Sequence, residues 1–224
     1  MPPTWDVRHF ATIDSTNTWI IEQARAGAPE GLVAVADHQT AGRGRLGRTW
    51  EAPAGANLLL TVLLRPSEVS HLAVAAVALA GRDAALSVAG VACGLKWPND
   101  LMVGDAFDSK LAGVLAETDG AGAVAVGIGM NVAWAPPGAA RLGEGVSRDA
   151  VVDALLASLG GWLDASWPAV ADAYRSAGVT VGRDVRVELT DGSTFEGTAT
   201  DIDGAGRLLV ANRTIEVGDI VHLR

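Results

Sequence analysis

Between residues 42 and 48 the chain sets three arginines among three glycines, Gly42–Arg43–Gly44–Arg45–Leu46–Gly47–Arg48, with Trp50 close behind. Glycine lets backbone approach a ligand closely, and arginine supplies fixed positive charge in a planar fork that suits phosphoryl oxygens. The glycines also satisfy the G-x-G-x-x-G dinucleotide pattern, but that pattern works only between a strand and a helix. Here Trp50, Pro53 and Gly55 follow before another β-like run. The segment reads as an anion-holding loop, with a solvated basic loop as the plain alternative.

Three further groups carry chemistry. Lys96–Trp97–Pro98–Asn99–Asp100 compresses a cation, an aromatic, an amide and a carboxylate into one turn. Lys96 suits a phosphate, Trp97 offers a flat apolar face, and Asn99 or Asp100 suits a divalent metal carried by a nucleotide. The alternative is a proline turn with an Asx hydrogen bond. Lys110 precedes the apolar run Leu111–Ala112–Gly113–Val114–Leu115, whose glycine leaves room against a sheet. Gly127–Ile128–Gly129–Met130–Asn131 ends a strand with two glycines and an amide, and Ser15–Thr16–Asn17 stands where a helix begins, a position that N-capping alone would explain. No Ser/His/Asp or Cys/His arrangement stands out, so no protein nucleophile is expected.

Regular elements must hold these groups. Asn17 to Arg25 has helical apolar spacing and stops at Gly27; Gly31 to Asp37 and Asn57 to Leu64 read as strands around a long loop from His38 to Ala56. Val69 to Ala89 is alanine-rich and predicts a buried helix over a sheet. Short strands are expected at Gly94–Trp97, Leu101–Val103, Leu111–Thr118 and Ala123–Asn131, then two helices over Arg148–Tyr174 hinged near Gly160 and Gly161. Beyond Gly178, five short strands with turns such as Asp191–Gly192 and Asp203–Gly204 predict a small β-barrel. The expected division is residues 1–177 and 178–224.

Composition narrows the function. With 49% hydrophobic and 19% charged residues in 224, the chain can bury a core. Its net charge of −9 argues against nucleic acid as a partner, although Arg43, Arg45 and Arg48 form a local excess that asks for an anionic ligand. The richest apolar stretch is broken by Gly81, Arg82 and Asp83, so no membrane span is expected. The N-terminus MPPTWDVRHF has no leader pattern, which makes a cytoplasmic protein the expectation. Cys93 is the sole cysteine, excluding an internal disulfide, and reads as a small buried residue.

Taken in order, Ser15–Thr16–Asn17, Asp37 to Arg45 followed by Trp50, Lys96 to Asp100, Lys110 to Gly113 and Gly127 to Asn131 resemble the biotin–protein ligase family. The likeness runs through nearly the whole chain. It implies an α+β fold like that of class II aminoacyl-tRNA synthetases, a mixed sheet with packed helices, followed by an SH3-like β-barrel. It implies that Ser15, Thr16, Asn17 and Gln39 hold the ring end of biotin, with Arg43, Gly44, Arg45, Lys110 and Gly113 along the rest. Arg45, Arg48, Trp50, Lys96, Asn99 and Asn131 would meet ATP and the adenylate, Asp100 a nucleotide-borne Mg2+, and Arg43, Arg45 and Lys110 would be catalytic. The implied partner is the biotin carboxyl carrier domain of an acyl-CoA carboxylase. Leu46 stands where many members carry another basic residue. Only 14 residues precede Ser15, too few for the winged helix-turn-helix of some relatives, so a ligase without DNA binding is expected. A lipoate or octanoate ligase of the same fold and a non-catalytic biotin sensor are the rival readings.

Overall fold

The computed structural model describes residues 4–66 and 71–223. Its main layer is a seven-stranded sheet in the order β1-β2-β3-β7-β6-β5-β4, formed by Asp6–Phe10 (β1), Leu32–Ala36 (β2), Leu58–Leu64 (β3), Gly94–Lys96 (β4), Asp100–Val103 (β5), Ser109–Thr118 (β6) and Val124–Met130 (β7). Only β1 and β2 run parallel; every other neighbouring pair is antiparallel.

Both faces of this sheet are covered, so β2 (LVAVA) and β3 (LLLTVLL) are buried at every position. Alternation sends Val33 and Val35 to one side, with the helix His71–Ala89 (α2), and Leu32 and Ala34 to the other, with the helix Thr16–Arg25 (α1). By length and composition α2 is apolar enough to cross a membrane, but it lies between the sheet and the helices Arg148–Asp164 (α3) and Trp167–Ala177 (α4), which accounts for its alanines. Residues 69 and 70, where this helix was expected to begin, lie outside the described residues.

Two expectations need correcting. The break near Gly160 and Gly161 is absent: α3 runs through both, with Gly160 buried, and ends four residues later. The new helix begins where Ser166 accepts a hydrogen bond from the Ala169 amide and Pro168 occupies the first turn, stronger signals than a glycine pair. Strand β1 was not foreseen, because a sheet edge with exposed Asp6, Arg8 and His9 has little apolar alternation.

The C-terminal strands Asp184–Glu188 (β8), Thr194–Ile202 (β9), Leu208–Val210 (β10), Arg213–Ile215 (β11) and Asp219–His222 (β12) form an antiparallel sheet in the order β11-β10-β9-β8-β12. Where a barrel was expected, the pairing among the described residues leaves β11 and β12 as opposite edges. Trp97 joins the two sheets. It is 2% exposed, and its indole nitrogen donates to the Gly206 carbonyl at 2.9 Å while its amide donates to the Thr180 hydroxyl at 3.1 Å. The indole expected to face a ligand is thus an anchor between sheets.

His222 sits at the same junction, 3.2 Å from the Thr180 hydroxyl and 3.4 Å from Arg183. Desolvation first, then the nearby Lys96 and Arg183 cations, hold its pKa down to about 4. An unfolded histidine titrates near 6.5, so the unfolded chain binds the extra proton between about pH 6.5 and 4, and stability falls as pH falls through that window. The thermal midpoint should drop across it, and less steeply in His222→Gln; equal slopes would remove His222 from the account.

Candidate active site

The cavity lies on the face of the sheet that carries α1, beyond the start of that helix. Strand register explains why there is a hollow in the middle of a sheet. Leu59 of β3, Gly129 of β7, Gly113 of β6 and Asp100 of β5 form one row across four strands, and Thr61, Gly127 and Leu115 form the next. The floor is therefore glycine where a sheet ordinarily offers side chains, and other groups come down onto it. A Cβ on Gly127 would lie 2.3 Å from the Asn17 side-chain oxygen, and one on Gly129 would lie 2.5 Å from the Trp50 ring. The space above measures about 320 Å³, within the roughly 300–1,000 Å³ of small-molecule sites.

One end is polar and largely uncharged. Ser15 caps α1 by accepting from the Thr18 amide, so its capping role and its place on the cavity wall coincide. Gln39 Oε1 accepts from the Thr16 amide at 2.7 Å, and Thr16 Oγ1 lies 2.9 Å from the same oxygen. Asn17 is 5% exposed; its Nδ2 donates to Glu117 at 2.8 Å and to the Leu115 carbonyl at 3.2 Å. Thr61, the one polar residue in β3, lies within hydrogen-bond distance of both Thr16 and Asn17.

The other end is cationic. Lys110 Nζ lies 2.6 Å from Asp100 and 5.6 Å from the centre of the Trp50 ring. Its direction depends on an irregularity: β6 carries an extra residue opposite Leu101 and Met102, so Lys110 and Gly113 come to the same face although they are an odd number of residues apart. Lys96 is half-buried, and desolvation lowers its pKa against the opposing pull of Asp100.

The segment expected to be structureless is a narrow finger. Arg43 bridges Thr49, the Trp50 amide donates to the Gly42 carbonyl at 3.0 Å, and a short 3-10 turn over Arg45–Gly47 forms the tip, where Leu46 has a φ of 53°. Each arginine of the finger already meets a carboxylate of the chain itself, which corrects the expectation of an uncompensated excess. Arg43 pairs with Glu117 at 2.8 Å and donates to the Thr18 hydroxyl at 3.0 Å. Arg48 pairs with Asp219, and Arg45 lies 3.4 Å from the same residue. Arg45 also donates to the Gly218 carbonyl at 2.9 Å and to Asn99 at 3.3 Å; desolvation lowers its pKa, opposed by Asp219 and Asp100.

All the residues singled out in the sequence border this one cavity: Ser15, Thr16, Asn17, Gln39, Arg43, Gly44, Arg45, Arg48, Trp50, Lys96, Asn99, Asp100, Lys110, Gly113 and Asn131. Asn131 stands apart in use. Its Nδ2 donates to the Ala140 carbonyl at 2.9 Å and its Oδ1 accepts from Asn57 at 3.2 Å, so the amide braces the following loop. Sequence reasoning passed over Thr61, Glu117 and Asp219. Alternation from Gly113 through Leu115 to Glu117 was a signal for the second; nothing local marks the third.

No nucleophile with a base is present in the cavity, and Cys93 is buried with its thiol pushed up to about 11. Among the described residues no three acidic, histidine or cysteine side chains gather to cage a metal. Asp100 alone fits the single-carboxylate contact typical of magnesium that arrives on phosphates. The arrangement suits a ligand with an uncharged hydrogen-bonding head and an anionic tail, flanked by an aromatic plane.

Comparison with known proteins places this geometry. A family model described as biotin/lipoate A/B protein ligase family matches residues 9–132, and one described as biotin protein ligase C terminal domain matches residues 180–223. The chain is 41% identical to the biotin--[acetyl-CoA-carboxylase] ligase of Mycobacterium tuberculosis, over 96% of this chain and 88% of that one. It is 30% identical to the bifunctional ligase/repressor BirA of Bacillus subtilis, over 88% of this chain and 67% of that one. Among solved structures it resembles the biotin protein ligase from Aquifex aeolicus in complex with biotin and ATP, with a TM-score of 0.82 at 25% identity, covering 98% and 99% of the two chains.

Proposed function

This chain belongs to the biotin/lipoate A/B protein ligase family, and from that premise we propose that it joins biotin to ATP as biotinyl-5′-AMP and passes the biotin to a lysine of a biotin carboxyl carrier domain. The observation that carries this reading is the polarity of one cavity, with uncharged donors and acceptors at Ser15, Thr16 and Gln39 and cations at Lys110, Arg45 and Lys96. A ureido ring needs the first, and a carboxylate that becomes a phosphate ester needs the second.

Biotin lies with its ring against Thr16, Asn17 and Gln39 and its chain over the glycine floor toward Lys110. One carboxylate oxygen attacks the α-phosphorus of ATP, the bond to pyrophosphate breaks, and a mixed anhydride remains. Lys110, Arg43 and Arg45 neutralise charge that develops there, so positioning and electrostatics replace a protein nucleophile. Arg48, Lys96 and Asn99 face the nucleotide, with Trp50 beside the adenine. Asp100 holds the magnesium that comes with ATP and, in doing so, exchanges its ion pair with Lys110 for the metal, freeing the lysine for the substrate. The arginine finger then shields the anhydride from water. The carrier lysine attacks the acyl carbon, AMP leaves, and the amine loses its proton. Use of ATP favours the cytoplasm. Residues 1–177 carry this chemistry, and residues 178–224 contribute Asp219.

Pyrophosphate exchange into ATP, measured with biotin, lipoate or no acid added, tests the reading. Exchange that depends on biotin is expected. Exchange driven by lipoate would replace it with a lipoate ligase, and none with any acid would leave a binding protein.

A further inference from the structure

The polar end of the cavity does not balance its own hydrogens. Thr61 Oγ1 lies 2.7 Å from Asn17 Oδ1 and 2.8 Å from Thr16 Oγ1, and Thr16 Oγ1 lies 2.9 Å from Gln39 Oε1. These are three close oxygen–oxygen contacts, and the two threonine hydroxyls bring one hydrogen each. Gln39 cannot turn to supply a third, because its oxygen accepts from the Thr16 amide at 2.7 Å. Asn17 could, by presenting Nδ2 to Thr61. Glu117 prevents it. Asn17 Nδ2 donates to Glu117 Oε2 at 2.8 Å and to the Leu115 carbonyl at 3.2 Å, two groups that only accept, so the amide oxygen must face the cavity. Arg43 braces the same carboxylate from outside, donating to its two oxygens at 2.9 and 2.8 Å. Gly127 makes the arrangement possible, since any Cβ there would strike Asn17 Oδ1.

We propose that Glu117, which itself borders no part of the cavity, is a specificity-determining positioning residue: by fixing Asn17 it keeps the row Asn17–Thr61–Thr16–Gln39 one hydrogen short, tuned to a ligand head that donates N–H groups. Without the carboxylate, Asn17 turns over, the row satisfies itself with three hydrogens for three contacts, and the preference for an N–H donor is lost. The inference rests on the proposed biotin function, because a ureido ring brings two N–H donors and a dithiolane ring brings none. It is an effect on recognition of the head group. It is not an effect on the reacting atoms, which lie at the Lys110 end.

Calorimetric binding of biotin and of lipoate, without ATP, to the full chain carrying Glu117→Gln or Glu117→Leu tests it. Biotin should weaken about 10-fold in the glutamine variant, a shift of about 1.4 kcal/mol, and more in the leucine variant, while any lipoate binding stays within about 2-fold. The KM for ATP in pyrophosphate release should change little. In an Asn17→Ala background the Glu117 substitution should have no further effect on biotin, because its route is gone. Unchanged biotin affinity in both variants, equal losses for biotin and lipoate, or additive effects with Asn17→Ala would overturn the assignment. The glutamine variant keeps shape and volume, and a melting curve at the wild-type midpoint separates its result from misfolding. Wild-type protein that binds lipoate and ignores biotin would instead overturn the functional reading beneath.

Discussion

Lys110→Ala should cut the rate of pyrophosphate release at saturating biotin and ATP by roughly 100- to 1,000-fold, the range seen when one preorganised donor to a developing oxyanion is removed. The expectation follows from position. Lys110 Nζ stands 2.6 Å from Asp100, beside Trp50 and above Gly113, at the end of the cavity opposite the Thr16–Gln39 pair. A ligand anchored by its head at that pair extends its carboxylate toward the lysine. Biotin affinity in the absence of ATP should change much less, because the neutral head does not touch this group. Stability should hold as well, since the pair with Asp100 is partly exposed and such pairs contribute little. Single-turnover pyrophosphate release gives the measurement, and a rate within a few-fold of wild type would take Lys110 out of the chemistry.

Arg45→Gly should make the enzyme careless. Arg45 ties the tip of the finger to three places at once: Asn99 in the β4–β5 turn, the Gly218 carbonyl and Asp219. Hydrogen bonds to charged groups contribute about 1.5–3 kcal/mol, so losing this attachment should speed escape of the adenylate by roughly 10- to 100-fold. Free biotinyl-AMP acylates amines it meets, and bystander proteins mixed with the variant should carry biotin on exposed lysines. Streptavidin blotting of albumin added to the reaction reads this directly. Unlabelled albumin alongside normal adenylate synthesis would show that the finger does not retain the intermediate through Arg45.

Which of these features the sequence disclosed has a physical pattern. Residues that cluster along the chain were readable: Gly42 to Arg48, Lys96 to Asp100 and Ser15 to Asn17 each announce themselves by dense, unusual composition, and all border the cavity. The helix α2 and strands β2 and β3 were readable because burial on both sides leaves an unbroken apolar run. Strand β1 was not, since its pairing with β2 is set by register at an exposed edge. The direction of Lys110 was not, because one extra residue in β6 reverses the alternation on which any reading of a strand depends. Thr61, Glu117 and Asp219 are ordinary residues in ordinary strands. Their importance comes from partners 44 to 171 positions away, a distance over which local pattern says nothing.

The bond between Arg48 and Asp219 joins positions 171 residues apart, and the one from Arg45 to the Gly218 carbonyl spans 173. Synthesis runs from the amino end, so the glycine floor, the finger and every cation of the cavity emerge from the ribosome long before the carboxylate that fixes two of those cations. A nascent chain stalled before β12 would hold a finger with nothing to fasten it. The last strand thus acts as a completion mark: a reactive anhydride is held securely only by a polypeptide whose translation has reached its final segment.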